Sequence, residues 1–136
     1  MKTRELICVL CPNGCSVRVD IEEGSPSCIR NMEGCQCEKG LEWAEQEICN
    51  PVRTITSSIL VEDGEMPLVS VRTDVAVPLE KILAVMEEIR GKIVRAPIES
   101  GDLLICNPAG VCCNLVATRA VPRLEQPEAD SSEQGK

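Results

Sequence analysis

The chain has 136 residues, a net charge of −8 and a sequence pI of about 4.6, enough for one ordinary domain or two very small ones. Such an acidic chain lacks clustered Lys and Arg, and Trp43 is its only aromatic residue. Nucleic acid is therefore not an expected partner, since the chain lacks both a phosphate-binding cluster and a base-stacking platform, and anionic membranes are disfavoured. Histidine is absent and cysteine occurs ten times, so a soft-metal site must be built from thiolates and no Ser–His or Cys–His pair can form.

Residues 5–10 and 16–22 are expected to be strands. Val17, Val19 and Ile21 alternate with Arg18 and Asp20 in the second, as a half-buried strand requires. The turn-forming segment 11–15 joins them, which puts Cys11 and Cys15 at a hairpin tip. The apolar stretch 6–10 is too short for a signal-peptide core and contains Cys8. No run approaches the roughly 18 apolar residues of a membrane span. The expectation is a cytoplasmic protein with reduced thiols and no direct membrane insertion.

Residues 27–36 carry Cys28 and Cys35 and read as irregular. Residues 38–48 read as a short helix with Leu41, Ala44, Glu45 and Ile48 at helical spacing, ended by Asn50 and Pro51. A boundary is expected near residue 51. Beyond it, 54–61 and 68–71 flank a turn at 62–65 and predict a hairpin. Pro78 is expected to open a helix over 78–90, with Leu79, Ile82, Leu83, Met86 and Ile89 as its core stripe. Strands are expected at 93–96, 103–106 and 113–121, followed by a disordered acidic tail over 122–136. The fold class is α+β: a small N-terminal metal-binding lobe (1–50), then a β-rich lobe with one amphipathic helix (51–121).

The chemistry concentrates in the first lobe. Cys8, Cys11, Cys15 and Cys37 follow the spacing C-x2-C-x3-C-x21-C. A tight loop can wrap three corners of a cuboidal iron–sulfur cluster, and a remote thiolate can close the fourth. Cys35 serves equally on spacing alone. Gly14 can adopt positive φ and bring backbone close to an inorganic sulfide. Lys39 places a positive charge near an anionic cluster, and Trp43 is placed to shield it from water. Gly40 would keep the turn after Cys37 compact.

Zinc is the alternative ligand of such thiolates, although two C-x2-C knuckles are its usual frame and Cys35 and Cys37 form C-x-C. A structural zinc module for protein interaction would follow from that choice. A thiol–disulfide redox protein is a third reading, resting on one C-x-x-C. Of the other cysteines, Cys106 is expected to fill the core, and the adjacent Cys112 and Cys113 to face opposite sides of a strand. There is no G-x-G-x-x-G and no phosphate loop, so electron donor and acceptor must lie on another protein.

The block C-V-L-C-P-N-G-C through G-C-Q-C-E-K-G resembles the N-terminal 4Fe–4S module of molybdopterin oxidoreductases. That resemblance implies Cys8, Cys11, Cys15 and Cys37 as cluster ligands and Lys39 as the lysine between cluster and pterin. The chain is too short to hold a pterin, so the pterin role is not carried over. Over most of its length it resembles a small bacterial family of uncharacterised CxxC-motif-containing proteins. The shared segments are C-V-L-C-P-N-G-C, C-E-K-G-L-E-W-A, N-P-V-R-T-I-T-S, A-P-I-E-S-G-D-L-L and V-A-T-R. Such proteins occur beside an anaerobic FAD-dependent glycerol-3-phosphate dehydrogenase. The resemblance implies an accessory iron–sulfur electron-transfer subunit of a FAD-dependent dehydrogenase, not catalytic alone. The Cys112–Cys113 pair and the acidic tail depart from that family's pattern.

Overall fold

The structure, a computed structural model, describes residues 1–24 and 29–125. Cys28 and the tail from residue 126 therefore lie outside the described residues. The fold is α+β and divides into two compact units. The first holds Met1–Arg53 and Pro78–Glu80; the second holds Thr54–Val77 and the described residues from Lys81 on.

In the first unit, strands β1 (Lys2–Ile7), β2 (Ser16–Ile21) and β3 (Ile29–Glu33) form an antiparallel sheet in that order. Ile7 pairs with Ser16, and the Cys8 N–H donates to the Cys15 carbonyl at 2.9 Å, so the cysteine loop is the tip of the first hairpin. The central strand buries Val17 and Val19 completely, the period-2 pattern of its sequence turned into packing. Helix α1 (Glu38–Cys49) adds Ala44 and Ile48 to them. Cys8 completes this small buried set, while Leu41, expected on the inner stripe, is partly exposed.

The strand β3 corrects the expectation of irregular chain over 27–36. Its pattern is broken by a β-bulge: Asp20 pairs with Asn31 but Ile21 with Ile29, so Arg30 is the extra residue and the two-residue alternation is lost. Ile29 and Met32 pack on the core while Arg30 forms an ion pair with Glu22 at 2.6 Å. The helix is held to the chain that follows it by Arg53, which donates to both carboxylate oxygens of Glu47 at 2.6 and 2.8 Å. That hydrogen bonding holds the Glu47 carboxyl below the usual carboxylate range, against the opposing pull of burial. A lowered folded-state value contributes stability above the unfolded value, and this is lost as pH falls through the folded one. The Glu47→Gln variant should therefore have a lower urea midpoint than the parent at pH 7. The gap should close as pH drops below about 4. A gap independent of pH would refute the assignment.

The second unit follows the two-residue strand β4 (Val52–Arg53). Strands β5 (Thr56–Glu62) and β6 (Leu68–Thr73) form the expected hairpin. Beyond the two-residue β7 (Val77–Pro78) and a 3-10 turn at Leu79–Lys81 comes helix α2 (Ile82–Gly91). Strands β8 (Ile93–Arg95), β9 (Leu103–Cys106) and β10 (Asn114–Ala117) complete a five-stranded sheet in the order β8-β5-β6-β10-β9. The pair β5–β8 is parallel and the others are antiparallel. Ile59, Val69, Val71 and Leu115 of the sheet pack with Val85 and Ile89 of α2 in one cluster. Thr73 is its buried polar member, and its hydroxyl accepts the Ile55 N–H at 3.1 Å, so no donor is stranded there.

Several expectations change here. Pro78 does not open the helix; Leu79 N–H donates to the Pro51 carbonyl, and the α-helix begins only at Ile82. Starting there, Ile82, Val85, Met86 and Ile89 satisfy the i, i+3, i+4, i+7 spacing. Leu79 and Leu83 fall outside that stripe and are 47% and 79% exposed. Cys106 is exposed rather than core, because Ile105 takes the inward position and strand neighbours face opposite ways. Cys113 is buried and Cys112 exposed, although both precede β10. Burial, then the Asp74 carboxylate, pushes the Cys113 thiol up. The expected tail is ordered at its start: Glu65 N–H donates to the Pro122 carbonyl and Leu124 N–H to that of Asp63. Gly64 permits this approach, since a Cβ there would stand 2.9 Å from a Val121 methyl.

Candidate metal centre

The cysteine-bearing loop and the start of α1 meet within the first unit. Cys8, Cys11 and Cys15 come from the hairpin tip, and Cys35 and Cys37 from the link between β3 and α1. All five line one cavity of about 360 Å³, together with Leu10, Asn13, Gln36, Lys39 and Gly40. Among the described residues, neither Asp nor Glu lines it. Cys8 is buried, Cys15 and Cys35 are half-buried, and Cys11 and Cys37 are exposed. All nine described cysteines are free thiols.

Two glycines set this geometry. Gly34 has φ of +95°, and a Cβ there would lie 2.1 Å from the Ser16 carbonyl oxygen. The chain can leave β3 against β2 only without a side chain at that position, and this turn delivers Cys35. Gly40 lies in the first turn of α1. A Cβ there would stand 3.6 Å from Cys37 Sγ and 3.7 Å from both Cys35 Sγ and Cys8 Sγ. Three sulfurs thus surround the space that Gly40 leaves open.

Cys37 is the N-cap of α1, and its sulfur accepts the Gly40 N–H at 3.4 Å. The sulfur thus lies at the helix N-terminus, where backbone N–H groups favour an electronegative ligand atom. Burial pushes the Cys35 thiol up, and the neighbouring sulfurs of Cys8, Cys15 and Cys37 add to it. Lys39 lines the cavity, whereas Trp43 lies instead in a groove with Glu5, Leu6, Ile7, Val9, Glu47, Val52 and Arg53. Gly14 takes φ of +57° but is not among the cavity's lining residues. The residue that brings bare backbone to the sulfurs is Gly40, signalled in the sequence only by its place three residues after Cys37.

The donor set fits a thiophilic group. Among the described residues, no three Cys, Asp or Glu side chains stand ready to hold a single metal ion. A closed tetrahedral zinc site needs sulfurs about 2.3 Å from the ion and so roughly 3.8 Å apart. Thiols with no carboxylate among them fit a thiophilic group, and both zinc and an iron–sulfur cluster take such ligands.

A family model described as "Protein of unknown function (DUF1667)" matches residues 38–119, 60% of the chain in round terms. The match begins directly after Cys37, so the five thiols precede it. The solved NMR structure of Clostridium perfringens protein CPE0013 is similar to 60% of this chain and 98% of its own, at 17% identity and a TM-score of 0.50. At that identity the likeness concerns fold alone. No curated protein matches the chain.

Proposed function

The chain belongs to this family of proteins of unknown function, and from that premise we propose that it is an iron–sulfur electron-transfer protein. Its cavity holds one 4Fe–4S cluster, and it serves as the accessory subunit of a FAD-dependent dehydrogenase. The observation that carries the reading is the convergence of five thiols, with no competing carboxylate or imidazole, on one cavity. When bound, the cluster supplies one-electron transfer. The chain supplies the rest. Cysteine thiolates ligate, and the Gly40 N–H bonded to Cys37 Sγ stabilises charge on sulfur. Lys39, which lines the cavity, adds positive charge beside it. Free thiols suit a reducing compartment such as the cytoplasm. Among the described residues, no helix is long and apolar enough to cross a membrane.

The test is anaerobic purification with iron, sulfide and zinc analysis and an electron paramagnetic resonance spectrum after reduction. Brown protein with about four irons and four sulfides per chain is the expected result. Colourless protein with one zinc per chain would replace the reading with the structural zinc module.

Gly40→Ala separates fold from site. Alanine is favoured over glycine inside a helix by about 1 kcal/mol, so the metal-free protein should be slightly more stable. The added methyl occupies the space between three sulfurs, so iron incorporation should fall severalfold. Unchanged iron content would show that the cluster does not use this space.

The partner has a candidate surface. Ile7, Val9 and Leu10 are 59%, 72% and 53% exposed, at and beside the cysteine loop. An apolar rim beside a redox site suits docking that brings a flavin-bearing partner within electron-transfer reach. Val9→Asp should weaken co-purification with the dehydrogenase about tenfold and leave iron content unaltered. Equal recovery of the complex would place the docking surface elsewhere.

A further inference from the structure

The cavity contains one thiol more than a four-iron cluster takes. Cys8, Cys11 and Cys15 come from one loop, and the two remaining thiols, Cys35 and Cys37, flank Gln36. Both reach the same side of the cavity floor at Gly40. Both line the cavity, and their sulfurs lie 3.7 and 3.6 Å from the same point above Gly40, which Cys8 Sγ also approaches at 3.7 Å. The Gly34 turn delivers Cys35, and the N-cap of α1 holds Cys37, so separate structural devices bring each thiol to the site.

We infer that Cys35 and Cys37 are interchangeable fourth ligands of the cluster, an inference that rests on the iron–sulfur reading above. The two ligands differ in environment. Cys37 is exposed and its sulfur accepts the Gly40 N–H; Cys35 is half-buried and lies among the other sulfurs. Exchange of the iron–sulfur bond from one to the other changes neither the iron count nor the electron count. One thiolate leaves the iron as the other binds, and the proton lost by the incoming thiol passes to the outgoing one. Because hydrogen bonds to sulfur and solvent exposure tune a cluster, the exchange gives one site two electronic settings.

The full chain is reconstituted anaerobically with ferrous iron and sulfide in four forms: parent, Cys35→Ala, Cys37→Gly, and the double variant. Glycine is chosen at position 37 because it removes the sulfur and is tolerated at a helix N-cap. Far-ultraviolet circular dichroism of each metal-free form checks the fold. In the expected result, both single variants keep at least three-quarters of the parent's iron and sulfide, and the double variant keeps less than half. A parent without iron overturns the proposed function and the inference with it. An iron-loaded parent beside a folded single variant that has lost most of its iron overturns the inference alone and makes that cysteine the sole fourth ligand. A double variant as rich in iron as the singles also overturns it, since neither thiol would then be a ligand.

Discussion

Gly34→Ala should unfold the cysteine site. A methyl at that position would lie 2.1 Å from the Ser16 carbonyl oxygen, and φ of +95° is itself strained for alanine. The backbone conformation costs about 1–2 kcal/mol. Moving β3 away from β2 costs about 1–3 kcal/mol more. The obstacle is main chain in a paired strand, so no flexible side chain can swing aside. Among the described residues the buried apolar set of the first unit is Cys8, Val17, Val19, Ala44 and Ile48, so a loss of about 2–5 kcal/mol is large against this small core. The urea midpoint of the metal-free protein should fall accordingly, and amide exchange should accelerate over residues 16–19 and 29–33. Gly24→Ala, also at positive φ but with none of the described residues within 4 Å of the added methyl, is the matched control and should cost less. Equal effects of the two would show that the Ser16 contact is irrelevant.

Leu115→Ala should be the most damaging truncation in the second unit. Leu115 is 0% exposed, and its strand lies between β6 and β9, paired with Thr73 and Ile105. Its neighbours are held by the sheet and by α2, so the space left by a smaller side chain closes only in part. The expected loss is about 2–5 kcal/mol by urea denaturation, and Leu115→Met should lose less than about 1.5 kcal/mol. Leu83→Ala, on the open side of α2, should change stability by no more than about 0.5 kcal/mol. Comparable losses at positions 83 and 115 would contradict the observed helix face.

Much of the fold was legible residue by residue. The alternation of Val17 and Val19 marked β2, and the β-branched run before Glu62 marked β5. The end of α1 near Asn50 followed from Pro51. These signals are local, and tertiary packing agreed with them. The third strand was obscured because a bulge at Arg30 breaks the two-residue alternation, so that Ile29 and Met32, three apart, both pack on the core. The start of α2 was misplaced because proline suits both a first helical turn and the end of an extended segment. The hydrogen bond from Leu79 to Pro51 decided between them. Cys106 was misassigned because apolar composition does not reveal which side of a strand faces in.

By itself the sequence determined the chemical vocabulary of the site. Ten cysteines and no histidine mean that a soft-metal site must draw on thiols, whatever the fold. It also determined local elements, because periodicity and turn residues act within a few positions of the chain. Only the tertiary structure decided which cysteines meet. Spacing admits Cys35 or Cys37 as partner to the hairpin loop, but the turn at Gly34 and the capped start of α1 bring both to the cavity. Gly40 became the centre of that cavity for the same reason. The missing methyl matters only because three sulfurs from separate segments converge on the space beside it, and that convergence is a property of the folded chain.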